Sequence, residues 1–222
     1  MYALIKSTLL ITSALFPIVN PLGNAPLFLS LTRSYSDEDR RVLSTRIAIN
    51  SFFLLIASYL TGTHILAFFG ISIPVVQVGG GLVLASTGWA MLKQKSNEDE
   101  TKEGVKGTAD RSDLFEKAFY PLTLPLTVGP GSISVAITLG ANEPHRDHLI
   151  LLSIIGAVIG SVAISISVFL CYAFADGLAR ALGATAMGVI MRLSSFLLVC
   201  IGVQIVWNGL SALLKTIPEL MQ

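Results

Sequence analysis

Phe16-Pro17-Ile18-Val19-Asn20-Pro21-Leu22-Gly23-Asn24-Ala25-Pro26 and Tyr120-Pro121-Leu122-Thr123-Leu124-Pro125-Leu126-Thr127-Val128-Gly129-Pro130 are two readings of one pattern. Pro17, Pro21 and Pro26 recur as Pro121, Pro125 and Pro130, each 104 residues further on, and an aromatic residue leads both copies. Six of the nine prolines lie here. Proline lacks an N–H and clashes with the carbonyl four residues back, so each copy interrupts any helix that contains it. Interrupted hydrophobic segments at matching places in two halves of a chain are the best sequence pointer to a transporter binding site.

The surrounding composition supplies the hydrophobic segments. The 222 residues are 53% hydrophobic and 13% charged, about half the charge of an ordinary soluble domain, and the mean hydropathy is +0.72. The net charge is +1, which gives no reason to expect nucleic acid as a partner. Cys171 and Cys200 lie inside apolar runs, without disulfide or metal-ligand spacing. A span of the bilayer core takes about 20 apolar residues. Six are predicted: Ala3–Leu31, Ile47–Phe69, Pro74–Leu92, Leu114–Leu139, Leu149–Ala175 and Val189–Leu214. The second has an earlier start in reserve at Ser36-Asp37-Glu38-Asp39, which resembles a helix N-terminus. Lys6 followed by Ser7–Phe16 is not read as a cleaved leader, because cleavage there would remove part of the first proline motif.

Lys and Arg orient the spans. Arg33, Arg40, Arg41 and Arg46 follow span 1; Lys93, Lys95, Lys102, Lys106, Arg111 and Lys117 follow span 3; Arg180 and Arg192 follow span 5. The opposite side has only Lys6, Arg146 and Lys215. Both termini are therefore expected outside, with the basic side in the cytoplasm. Three spans per half is an odd number, so the halves run in opposite directions. The expected fold is an all-α membrane protein of six transmembrane helices, built as two inverted three-helix repeats with helices 1 and 4 discontinuous. Residues 1–92 form the first repeat, 93–113 a charged cytoplasmic linker, and 114–222 the second repeat.

The freed backbone groups define the candidate site. Pro21 releases the carbonyl of Pro17, Pro26 that of Leu22, and Pro130 that of Leu126. Proline also suits the first turn of a helix, so Pro26 and Pro130 are expected to open the second half-helices. Helix N-termini carry free N–H groups and about half a positive charge, which suits a carboxylate. Carbonyl ends and the amide oxygens of Asn20 and Asn24 suit an ammonium group. Asn20, Gly23, Asn24, Thr127, Gly129, Gly131 and Ser132 are the candidate binding residues for a small zwitterion; Pro21, Pro26, Pro125 and Pro130 shape the site. Asn20 and Asn24 are equally readable as caps on broken backbone. If Asn24 is a ligand contact, Asn24→Ala lowers affinity more than folded yield.

The two motifs, Asn20-Pro21-Leu22-Gly23-Asn24-Ala25-Pro26 and Leu124-Pro125-Leu126-Thr127-Val128-Gly129-Pro130-Gly131, resemble the signatures of the MarC family of integral membrane proteins, also classed with six-helix neutral amino acid transporters. The resemblance runs over nearly the whole chain. It implies a prokaryotic inner-membrane protein that moves small neutral amino acids of the glycine or alanine class by alternating access. An exporter of drugs or other small metabolites, or a channel, is the alternative. The membrane half of the disulfide-reductase transporters is similar in architecture, but this chain lacks their cysteines beside the prolines. The expected partners are a neutral amino acid and the lipid bilayer; a homo-oligomer is compatible with the chain. No cofactor or metal is expected, and no enzymatic constellation stands in a workable context.

Several remaining residues carry structural readings. No carboxylate lies well inside a predicted span, which weakens a proton relay built on one. His64 is expected at the interface, and Arg192 either snorkels to the cytoplasmic surface or pairs with Asp176. Gly79-Gly80-Gly81 and Gly156-x-x-x-Gly160 are read as helix-packing surfaces, and Trp89 and Trp207 as interface anchors.

Overall fold

The computed structural model describes residues 2–32, 35–93, 115–142 and 147–220; the linker expected at 93–113 lies outside them apart from Lys93, as do Leu114 and the loop residues Glu143 and Arg146. The described residues form helices: α1 Tyr2–Val19, α2 Pro21–Leu31, α3 Asp37–Phe68, α4 Ile73–Lys93, α5 Ala118–Thr127, α6 Pro130–Ala141, α7 Asp147–Ala173 and α8 Ala175–Leu220. Five stretches are long and apolar enough to cross a bilayer, and the α5–α6 pair, bent by 71°, makes six if it counts as one. Leu9, Phe53, Leu151 and Trp207 are each more than half exposed. Water would not tolerate so much exposed apolar surface on a monomer, whereas acyl chains match it.

The ends of α3 and α8 differ from the expected spans. α3 begins at Asp37 rather than Ile47, because Ser36 caps it: its hydroxyl accepts from the Asp39 N–H at 3.1 Å and donates to the Asp39 carboxylate at 2.7 Å. At 1.5 Å per residue, its 32 residues extend well beyond a core of about 30 Å. α8 begins at Ala175, not Val189, and takes up the expected loop; its one interruption is Gly183, at φ 75° and ψ 165°, a conformation that glycine alone adopts without strain. Arg40 at the start of α3 forms an ion pair with Asp176 at the start of α8, and reaches Asp37 at 3.1 Å. The starts of these two helices therefore share one face of the protein. Asp176 is thus partnered by Arg40 and not by Arg192, which is exposed.

Small residues set the helix contacts. α4 and α8 pack antiparallel along a seam with a seven-residue period, in which Pro74, Gly81 and Gly88 face Gly209, Gly202 and Ser195. A Cβ on Gly81 would lie 2.7 Å from the Gly202 carbonyl oxygen, one on Gly88 2.8 Å from that of Ser195, and one on Gly209 2.6 Å from that of Pro74. Lipid gives helices no hydrophobic reason to associate, so close backbone approach through small residues does the work. Of the glycine run, Gly80 packs on Ser134 of α6 and Gly81 on α8, while Gly79 meets nothing. Gly156 and Gly160 lie against Ser7, Ile11 and Thr12 of α1, as a packing surface should. The main core joins α1, α2, α3, α5, α6 and α7 through Ile11, Phe28, Leu43, Leu122, Ala136 and Tyr172.

Gly202→Val should lower the thermal unfolding temperature in detergent by several degrees, since overpacking at such a contact destabilises by about 1–3 kcal/mol. Gly79→Ala should leave that temperature unchanged or raise it, because it adds helix propensity and no clash. Differential scanning fluorimetry on the two purified variants checks both.

Candidate functional site

Asn20 alone separates α1 from α2. It lies at φ 48° and ψ 57°, the left-handed region that asparagine tolerates better than other residues with a Cβ. Its carboxamide oxygen accepts the Gly23 N–H at 3.2 Å, so Asn20 is the N-cap of α2. Pro21 opens that helix at its first position, where its missing N–H costs nothing. Gly23 is required by this cap: a Cβ there would collide with the Asn20 side chain and come within 2.7 Å of Ser194 Cβ. Pro26 differs from expectation. It sits inside α2 and does not begin it.

The second interruption is longer. Tyr120 and Leu124, each preceding a proline, hold extended angles (φ −126°, ψ 125° and φ −106°, ψ 127°), as the steric demand of the following ring requires. Between them α5 winds in wide turns, not as the α-helix the sequence predicts. The Tyr120–Pro121 and Leu124–Pro125 peptides are cis. Thr123 and Thr127, each two residues after one of these prolines, turn their hydroxyls back to the carbonyls of Ala118 and Leu122 at 2.6 and 2.7 Å. Val128 leaves the helical region, and Gly129, extended at φ −91° and ψ 179°, precedes Pro130 at the start of α6. The Ser132 hydroxyl donates back to the Gly129 carbonyl at 3.0 Å.

Asn24 ties the two interruptions together. Its amide nitrogen donates to Val19 O at 3.0 Å and to Leu126 O at 3.1 Å. Val19 O has lost its ordinary helical partner, the Gly23 N–H, to Asn20. Leu126 O would have been served by the N–H that Pro130 lacks. One buried carboxamide thus satisfies a stranded carbonyl in each span. Beside it Tyr172 of α7, fully buried, stands 3.0 Å from the Thr127 hydroxyl and stacks on Phe28 of α2 with ring centroids 4.6 Å apart.

A cavity of about 540 Å³ adjoins this junction. Asn24, Thr127, Gly129, Gly131 and Ser132 line it, with Pro125 and Pro130; Asn20, Gly23, Pro21 and Pro26 do not. The sequence reading missed the rest of the wall: Ile18, Leu27, Leu31, Val83, Leu84, Thr87, Met91, Pro121, Leu126 and Leu198. Most of these are apolar and carry no motif, so only a helical-wheel match between spans could have found them. The wall has no ionisable side chain among the residues that line it. Its open donors are the first-turn amides of Gly131 and Ser132, which have no partner within a helix by position. The hydroxyls of Thr127, Ser132 and Thr87 already donate to backbone carbonyls and remain as acceptors.

The cavity is one-sided. Leu31 ends α2, Met91 lies near the end of α4, and Pro121 lies in the first turn of α5. Leu31 stands shortly before Asp37, where α3 begins, and the Lys117 ammonium, just before α5, donates to the Tyr35 hydroxyl at 3.0 Å. The cavity therefore runs from the helix interruptions towards the face of Arg40 and Asp176. On the far side α3 and α6 close up, with Gly62 against Ile137 and Gly140 against the Tyr59 backbone.

These features define a polytopic integral membrane protein with an internal cavity where two proline-rich segments meet. The family model for MarC family integral membrane proteins matches residues 5–214, and the chain belongs to that family. It is 32% identical to the inner membrane protein MarC of Salmonella typhimurium (strain LT2) over 91% of this chain and 93% of that one. It is 30% identical to the membrane protein YvbG of Bacillus subtilis over 93% and 95% respectively. No solved structure matches it. The protein is thus an inner-membrane protein.

Asn24→Ala should destabilise the fold, against the simplest expectation from sequence. It leaves two buried carbonyls unpaired at about 1–3 kcal/mol each. Asn24→Asp should be no better, because an ionised carboxylate donates nothing. Thermal unfolding in detergent, run beside Thr87→Ala as a cavity-wall control, should show a large drop for both Asn24 variants and little change for the control.

Proposed function

We propose that this protein is a secondary transporter for small neutral amino acids, of the glycine or alanine class, that works by alternating access. The observation that carries this reading is the one-sided cavity at the meeting point of the two interrupted spans, with the bare N-terminus of α6 in its wall. The substrate carboxylate bonds the amides of Gly131 and Ser132, where the helix dipole favours negative charge. Its ammonium faces the carboxamide oxygen of Asn24 and the hydroxyl oxygens of Thr127 and Ser132, and its side chain meets Leu84 and Leu198. The carbonyls of Val19 and Leu126 are not offered to it, since Asn24 takes both.

Neighbour relations support the inverted repeat that such a mechanism uses. α1 packs on α7 as α5 packs on α3; α2 packs on α7 and α8 as α6 packs on α3 and α4; and α3–α7 and α4–α8 are their own counterparts under exchange of the halves. With the Lys and Arg asymmetry setting both termini outside, the cavity opens to the cytoplasm and this conformation faces inward. No reaction is assigned to the protein; it is not an enzyme in this reading.

The cavity's size favours a second reading. Pockets of roughly 300–1,000 Å³ take drug-sized molecules, and a mostly apolar wall of about 540 Å³ suits an exporter of larger apolar metabolites with the same architecture. Proteoliposomes decide between them. Labelled alanine uptake should saturate, and unlabelled glycine should compete while bulky apolar drugs do not; flux without saturation points to a channel, and competition by the drugs alone to the exporter. Thr87→Trp, which fills the exposed side of the cavity, should reduce flux at least about tenfold without loss of folded yield, as size-exclusion profiles would show.

A further inference from the structure

One face of α8 carries an amide pair that lipid cannot satisfy. Gln204 and Asn208, one turn apart, are both exposed, and the Gln204 side-chain N–H donates to the Asn208 side-chain oxygen at 2.9 Å. The apolar span here is Thr185–Lys215, whose middle falls at residue 200. At 1.5 Å per residue, Gln204 lies about 6 Å and Asn208 about 12 Å from that middle. Both are inside a hydrocarbon core whose half-thickness is about 15 Å. Two primary amides carry four N–H hydrogens and two oxygens. The single bond between them uses one of each, which leaves three hydrogens and one oxygen turned towards acyl chains. Such groups are costly in hydrocarbon and bind helices together when a partner can be found.

We propose that this face of α8 is the interface for a second copy of this chain. The chemistry of the pair selects that partner. A carboxamide donates and accepts equally, so it is complementary to itself. A two-fold axis along the membrane normal brings the Gln204–Asn208 pair of one subunit against the same pair of the other. Acyl chains offer neither donor nor acceptor. The stripe has a usable shape as well: Cys200, small and exposed, stands one turn from Gln204 and lets the backbones approach. Phe196 and Trp207, 55% and 62% exposed, flank it with large apolar area. The opposite face of the helix is already taken, since Gly202 and Gly209 are closed against α4. The proposal does not depend on what the cavity transports.

Single-molecule photobleaching in liposomes, with the full chain labelled at its N-terminus and diluted across a wide range of protein-to-lipid ratios, tests it. The wild type should bleach in two steps per spot at ratios where Gln204→Leu/Asn208→Leu bleaches in one, with a dimer dissociation constant raised about tenfold or more. The leucines suit lipid, so the variant's folded yield should hold. Iodine, which enters the bilayer and oxidises thiols there, should also cross-link the wild type and Cys171→Ser into disulfide dimers, and should fail on Cys200→Ser. One-step bleaching of the wild type at every ratio overturns the proposal, as does a double variant that dimerises like the wild type, or a cross-link that survives Cys200→Ser.

Discussion

In hydrocarbon every backbone carbonyl and N–H must find a partner inside the protein, and the rest of this structure follows from how two proline-interrupted segments meet that demand. Pro130 strands the Leu126 carbonyl, and the Asn20 cap strands that of Val19. Asn24 collects one from each segment, Asn20 caps the restarted helix with its own side chain, and Thr123 and Thr127 fold their hydroxyls back onto α5. Only after those obligations are met do any groups remain for a ligand. They are few: the first-turn amides of α6, and oxygens with lone pairs to spare. The cavity is consequently polar at one end and apolar elsewhere.

Much of the architecture was readable because hydrophobic length and proline placement are strong local signals. The apolar spans, the Ser36 cap, the packing role of Gly156 and Gly160, and the stranding of Leu126 O by Pro130 all come from residue types whose physics does not depend on distant neighbours. What the sequence hid depends on tertiary contact. Pro26 is of the same type as Pro130, yet it sits within a helix, because the restart is governed by the αL residue at 20 and its cap. Leu114–Leu139 reads as one span whose second half-helix opens at Pro130, but the residues before Pro121 and Pro125, Tyr120 and Leu124, are forced extended. Asn24 read equally as ligand contact or cap, and only the position of Leu126 O, 102 residues away, separates the two. The apolar wall from α4 and α8 bears no motif at all.

The family relationship and the geometry speak at different levels. Membership fixes the membrane setting and the fold's kinship with the MarC and YvbG proteins. The proposed substrate class rests on the cavity, whose neutral walls and helix N-terminus suit a solute that carries its own compensating charges. None of the residues that line the cavity is ionisable.

The seam between α4 and α8 has a mechanical consequence. Its three small-residue contacts recur at equal intervals along both helices, so sliding one helix past the other by less than two turns would drive backbone into backbone at all three points together. The pair is locked against axial slip. In the alternating-access reading proposed above, rearrangement around the cavity would fall to the segments that join at Asn20 and Gly129, with the α4–α8 strut as their frame.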